Sequence, residues 1–214
     1  MSMRGRNAIV FEASAMDYLF APERYETADF VLRCYDSGDG PLLSDAVNAS
    51  YEHLRTWMPW AKPDQSAEDS ERSVRRFRAR YLLAEDFVIG IFSADGRQLL
   101  GGTGFHLREG PLSSACAEIG MFIRQSEAGR GLGTRVLRAL VDWGFAAWPW
   151  QRLAWRCDQR NVASLRVAEK AGLRLEGVLR GQRAHVGEGR RDTACYALTK
   201  AEWSHNVAQP PSGG

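Results

Sequence analysis

The chain has 214 residues, 44% hydrophobic and 25% charged, enough for one domain with a well-buried core and too apolar for a wholly disordered chain. No apolar run approaches the ~18 residues of a membrane span. The net charge of only +2 conceals an asymmetry: Arg124 to Arg191 carries 14 basic and 6 acidic residues, while the rest of the chain is net −6. Of the 28 basic residues 25 are arginine. We expect the basic half to handle an anion and the other half a cationic or neutral group. The apolar letters after the N-terminus are broken by Glu12, Ser14 and Asp17, which argues against a secretory leader. Cys34, Cys116, Cys157 and Cys195 are far apart, and the four histidines form no ligand pair at helical spacing. Neither a disulfide framework nor a metal site is expected, and reduced thiols point to a cytoplasmic protein.

In chain order, residues 1–28 read as a leader or arm, 29–205 as a single domain and 206–214 as a flexible tail. Phe30–Tyr35 predicts a strand. Leu43, Ala46, Val47, Ser50, Tyr51 and Leu54 recur at helical spacing, and Pro59 and Pro63 stop that helix. Ser66-Ala67-Glu68-Asp69 reads as a capping box opening a second helix, with Val74, Phe77 and Tyr81 on one face. Phe87–Phe92 predicts a buried strand, and Asp95-Gly96 a hairpin turn into Leu99–Leu107. Strands follow at Cys116–Ile123, Arg152–Cys157, Leu173–Leu179 and Thr193–Leu198, with helices at Thr134–Ala147 and Val162–Ala171. The pattern predicts a mixed α/β sheet with helices on its faces.

Ala128-Gly129-Arg130-Gly131-Leu132-Gly133-Thr134 lies between a predicted strand and helix, where backbone N–H groups at a helix N-terminus bind anions. It is not a Walker loop, which needs Gly-Lys-Ser/Thr. It is not the dinucleotide fingerprint either, because the spacing is Gly-x-Gly-x-Gly and no acidic residue follows at the required distance. By itself the loop is equally a tight strand-to-helix turn.

Further motifs accompany it. Glu118-Ile119-Gly120 precedes the loop, and Asn161-Val162-Ala163-Ser164 opens a helix ending in Glu169-Lys170-Ala171-Gly172. Glu176-Gly177 and Arg180 follow on a strand, and Leu54–Trp60 lies beside the first helix. This ordered set, over roughly residues 29–200, resembles the GNAT acetyltransferase superfamily and its RimJ/RimL-like branch. The resemblance implies a mostly antiparallel central sheet flanked by helices, acetyl-CoA as co-substrate, transfer to a primary amine and a possible homodimer. Gly129, Arg130, Gly131, Leu132, Gly133 and Thr134 would then hold the pyrophosphate. Phe122, Ile123 and Arg124 would pair with the pantetheine arm, joined by Asn161, which equally suits an N-cap. Ala128 departs from the Gln or Arg usual at that position, which removes one side-chain contact. Arg135, Arg166 and Lys170 are either contacts to the 3′-phosphate or solvated helix charges.

Acetyl transfer needs a neutral amine, a stabilised oxyanion and a proton for the thiolate. An α-amine near 7.9 is about 10% neutral at pH 7 and a lysine roughly 0.04%, so a protein N-terminus needs the weaker base. Glu118 is the expected base and Ser164 the expected acid, each with a structural alternative: an ion pair for Glu118, a first-turn helix residue for Ser164. Trp57, Trp60 and His106 are candidates for the acceptor pocket, with Met58 and Tyr81 beside them; Trp57, Met58 and Trp60 equally suit a plain core, and Tyr81 and His106 a structural role. His185 falls in a glycine-rich hairpin over the site, where a solvated histidine is the alternative. The expected reaction is acetylation of a protein N-terminal α-amine. The alternatives are acetylation of a small amine (a polyamine, amino acid or antibiotic) and a non-catalytic acyl-CoA sensor. The near-neutral charge and the lack of a basic aromatic sheet motif argue against nucleic acid.

Overall fold

A computed structural model describes residues 19–185, 187 and 189–208. The strands are β1 (Arg24–Glu26), β2 (Phe30–Cys34), β3 (Phe87–Ser93), β4 (Leu99–His106), β5 (Cys116–Ile123), β6 (Arg152–Asp158), β7 (Arg174–Ala184) and β8 (Arg190–Thr199). The helices are α1 (Gly40–Asn48), α2 (Tyr51–Leu54), α3 (Ala67–Leu82), α4 (Leu132–Ala147), α5 (Val162–Lys170) and α6 (Lys200–Ala208). The strands form one sheet in the order β1-β2-β3-β4-β5-β6-β8-β7. Every neighbouring pair is antiparallel except β5–β6.

The helix expected over residues 43–54 is two helices. Ser50, fully buried, breaks it, and its Oγ accepts a hydrogen bond from the Gln125 amide at 3.0 Å. That bond ties the α1–α2 junction to the end of β5 and brings residues 57–60 beside the sheet. Ser66 caps α3 as expected, its Oγ accepting from the Asp69 amide at 3.0 Å. The β3–β4 turn has Gly96 at φ +72°, and Asp95 Oδ1 accepts from the Arg97 amide at 3.1 Å.

Of the tail expected over 206–214, residues 206–208 form the last turn of α6; 209–214 lie outside the described residues, as do 1–18 of the leader. Spacing missed α6 because its sequence is polar on most sides. Its signal was a capping box, Thr199-Lys200-Ala201-Glu202. Glu202 Oε2 accepts from the Thr199 amide at 2.9 Å, and Thr199 Oγ1 accepts from the Glu202 amide at 3.3 Å.

The two faces of the sheet are covered differently. Val31, Tyr35, Phe92 and Leu99 pack under α1–α3 with Leu43, Val47, Leu54 and Val74. The opposite face packs on α4, where Phe87 and Phe105 meet Trp143, Trp148 and Trp150; the last two stack with centroids 5.8 Å apart. Tyr81 belongs to this aromatic core, and its hydroxyl donates to the Pro22 carbonyl at 2.6 Å. It therefore has a structural role instead of the pocket position considered for it.

Candidate active site

The parallel strands β5 and β6 pair over three positions only, Cys116–Arg152, Ala117–Leu153 and Glu118–Ala154. Beyond them β5 stays on β4 as far as Ile123, and β6 stays on β8 as far as Asp158. Each strand is held on its outer side, so their inner edges diverge and a gap opens beyond Glu118.

Strand geometry decides which peptide groups face that gap. The Arg124 amide donates to the Leu100 carbonyl at 2.8 Å, and Thr103 Oγ1 donates to the Gly120 carbonyl at 2.7 Å. Even-numbered residues of β5 thus turn their peptide groups toward β4, and by alternation Met121 and Ile123 turn theirs to the gap. Among the three residues expected to pair with pantetheine, Ile123 presents its backbone there. Phe122 and Arg124 do not, and Met121 was missed because only the register reveals it. The Arg124 guanidinium faces α1, where Asp45 takes it.

The glycine loop closes one end of the gap. Gly129 and Gly131 sit at φ +76° and +78°, a left-handed conformation costly for other residues. Leu132 is buried and pins the first turn of α4, while Arg130 is largely exposed. Gly133 faces α5 and β5: a methyl there would stand in ordinary contact, 3.5 Å from Val167 and 3.6 Å from Ile123. The first-turn amides of α4, Leu132 to Thr134, have no acceptor within the helix and point out of its N-terminus. This cradle fits a pyrophosphate.

Across the gap Asn161 caps α5, its Oδ1 accepting from the Ser164 amide at 3.1 Å. Ser164 Oγ accepts from the Trp155 indole N–H at 3.1 Å, which leaves the hydroxyl proton available to donate. Burial pushes the neighbouring Cys157 thiol up, against the lowering effect of Ser164 and Trp155.

Glu118 stands where the strands part, with 5% of its side chain exposed. Arg108 donates to its Oε1 at 2.6 Å and Arg156 to its Oε2 at 3.4 Å. The chain of charges continues through Glu109, Arg152 and Glu176, with both Arg152–Glu176 contacts at 2.6 Å. The ion pair considered for Glu118 is therefore present.

On the α1–α3 face Trp60 meets Phe122 edge-on at 5.5 Å and is 47% exposed, while Trp57 is half-buried in the turn after α2. His106 lies over the cross-strand pair Gly104–Gly120, its Nδ1 2.7 Å from Asp86 Oδ1. His185, at the β7–β8 turn, has its Nε2 3.8 Å from Asp158. Among the described residues no group of His, Cys, Asp or Glu is placed to hold a metal ion.

Residues 29–174 match the acetyltransferase (GNAT) domain family. The chain belongs to the GNAT acetyltransferase family. The matched domain is that of an acetyltransferase. Among curated proteins it is 31% identical to the probable N-acetyltransferase YjcK of Bacillus subtilis over 54% of this chain and 63% of that protein, a little under two thirds of its length. It is 29% identical to the ribosomal-protein-serine acetyltransferase of Escherichia coli over 67% of this chain and 79% of that protein. Among solved structures it superposes on RimL, a ribosomal alpha-N-protein acetyltransferase in complex with coenzyme A, with a TM-score of 0.73. That match is 22% identical and covers 81% of this chain and 95% of that one, a likeness of fold.

Proposed function

We propose that this GNAT enzyme acetylates the α-amine of a protein N-terminus. The observation that carries the chemistry is the gap between β5 and β6, closed at one end by the Gly129–Gly133 loop and flanked by Ser164. Acetyl-CoA bound there would bring an activated thioester. Met121 and Ile123 would present backbone groups to its arm, Leu132 to Thr134 would hold its phosphates, and Asn161 would offer its amide nitrogen. Ser164 would give a proton to the departing sulfur. Trp60 and Phe122, in edge-on contact on the α1–α3 face, offer an aromatic surface that suits an extended peptide end. Kinship to ribosomal-protein acetyltransferases supports a protein acceptor. We place the enzyme in the cytoplasm, consistent with its free cysteines and with the absence, among the described residues, of a helix long and apolar enough to cross a membrane. A homodimer belongs to the same proposal, on the family resemblance alone.

The deciding experiment is release of free CoA thiol with a panel of peptides that start with a free or a blocked amine, set beside polyamines and amino acids. Turnover restricted to free N-terminal peptides is expected. Turnover with small amines alone would move the acceptor to that class, and acetyl-CoA binding with no thiol released would make the chain a sensor.

A further inference from the structure

His106 and Asp86 form a second titratable pair at the gap. His106 ends β4, opposite Glu118 of β5, and its imidazole lies against two facing glycines. A methyl on Gly104 would stand 3.2 Å from His106 Cε1, and one on Gly120 would stand 3.1 Å from Nε2. A side chain at Gly120 would force the ring to give by a few tenths of an ångström. The glycine lets Nε2 reach over β5 just past the point where β5 leaves β6. The other ring nitrogen is engaged: Nδ1 faces Asp86 Oδ1 at 2.7 Å, with both side chains about 15% exposed. Arg80 of α3 pairs with Asp86 at 3.3 Å, so the carboxylate is held as an anion. An anionic acceptor at Nδ1 puts the ring proton there and leaves the Nε2 lone pair aimed over Gly120.

Both oxygens of Glu118, by contrast, are already engaged: Oε1 by Arg108 at 2.6 Å and Oε2 by Arg156 at 3.4 Å.

We infer that His106, oriented by Asp86, takes the proton from the acceptor amine, an assignment that rests on the acetyl-transfer reading above. The ammonium gives one proton to Nε2. The freed lone pair forms the N–C bond to the thioester carbonyl, and the C–S bond breaks with its electron pair on sulfur. The second amine proton neutralises the sulfur by way of the Ser164 hydroxyl, and the imidazolium returns its proton to solvent. His106 is then a catalytic residue and Asp86 a positioning residue.

The charged groups around the imidazole come from every packed element: Asp86 before β3, Arg80 on α3, Glu118 on β5, Arg108 after β4, and Arg156 on β6 beyond Glu118. The test is the pH profile of kcat at saturating acetyl-CoA and saturating peptide, for the wild type, His106→Gln, Asp86→Asn and Glu118→Gln. The His106→Gln variant should lose about 10²–10⁴-fold in kcat. Its acid limb should move up toward the ordinary α-amine range of about 7.7–8.0, while KM for acetyl-CoA and Tm hold. Asp86→Asn, which frees the other tautomer, should lose less and shift the limb. Added imidazole should restore part of the rate to His106→Ala, which a purely structural role would not allow. If His106→Gln keeps the wild-type rate and limb, the assignment falls alone. If only Glu118→Gln abolishes the limb, the base is Glu118. A wild type that releases thiol with no amine at all removes the acetyl-transfer reading and this assignment with it.

Discussion

At the residue scale, one contact decides what Ser164 can do. Its oxygen already accepts the Trp155 indole N–H at 3.1 Å, so the hydroxyl proton points elsewhere, and the Cys157 sulfur and a thioester sulfur in the gap compete for it. Ser164→Ala should lower kcat by about 10²-fold, the lower end for proton transfer in catalysis, and leave KM for acetyl-CoA nearly unchanged. Steady-state kinetics at saturating peptide measure this. An unchanged kcat would leave Ser164 as no more than the acceptor of the indole. Ser164 and Asn161 were legible in the sequence because a cap and its third residue form a local pattern. Asp86 was not, because its partner is 20 residues away across two strands and a turn. Met121 was hidden for a related reason: only the β4 register shows that its peptide group faces the gap.

At the scale of elements, short-range rules worked where the determinants were short-range. Ser66 caps α3, and Gly129 and Gly131 adopt the left-handed turn that a glycine loop promises. Ser66→Ala should destabilise the fold by about 1 kcal/mol and lower Tm by about 2–4 °C, which thermal unfolding by circular dichroism resolves. A Tm that does not move would mean that α3 owes its start to packing of Val74 and Tyr81 alone. The same rules failed where a tertiary contact intervened. The periodicity of Leu43 to Leu54 is real, but the Gln125 amide captures Ser50 and ends the first helix early. In α6, Trp203 docks on Phe145 at 5.7 Å and donates to Asp142 at 2.8 Å, contacts that a mostly polar sequence does not announce.

At the scale of the whole molecule, the charge asymmetry takes a different meaning. Many arginines of the basic stretch find carboxylates from outside it: Arg124 pairs with Asp45, Arg135 with Asp29, Arg152 with Glu109, Arg156 with Glu109 and Glu118, and Arg174 with Glu202. Much of the apparent positive field is therefore neutralised on folding, and what remains for an anion is chiefly the backbone cradle of the glycine loop.

These pairs also set the acid stability. Burial raises the Asp86 carboxyl, but His106, Arg80 and Arg108 outweigh it and hold it below the ordinary range. Burial likewise raises Asp158, and the Arg160 contacts outweigh it. Arg152 lowers Glu176, and the Thr199 amide and hydroxyl lower Glu202. Folded values below unfolded ones mean that the unfolded chain binds more protons in acid. Their contribution is full above the unfolded values of about 4 and is lost as pH falls through the folded ones. Tm should therefore drop as pH is lowered below about 4. A Tm that held steady down to pH ~3 would show that these carboxylates do not stabilise the fold.

The sequence by itself determined the family, the α/β class, the glycine loop and the capped helix that carries Ser164. These are contiguous patterns, and a backbone turn or a cap depends mainly on residues within four positions of it. The tertiary structure decided which edge of β5 faces the gap, that Glu118 is held between Arg108 and Arg156, and that His106 reaches over Gly120 with Asp86 behind it. Those arrangements depend on strand register and on side chains brought together from distant segments. Their energies come from burial and charge pairing, which exist only once the sheet has formed.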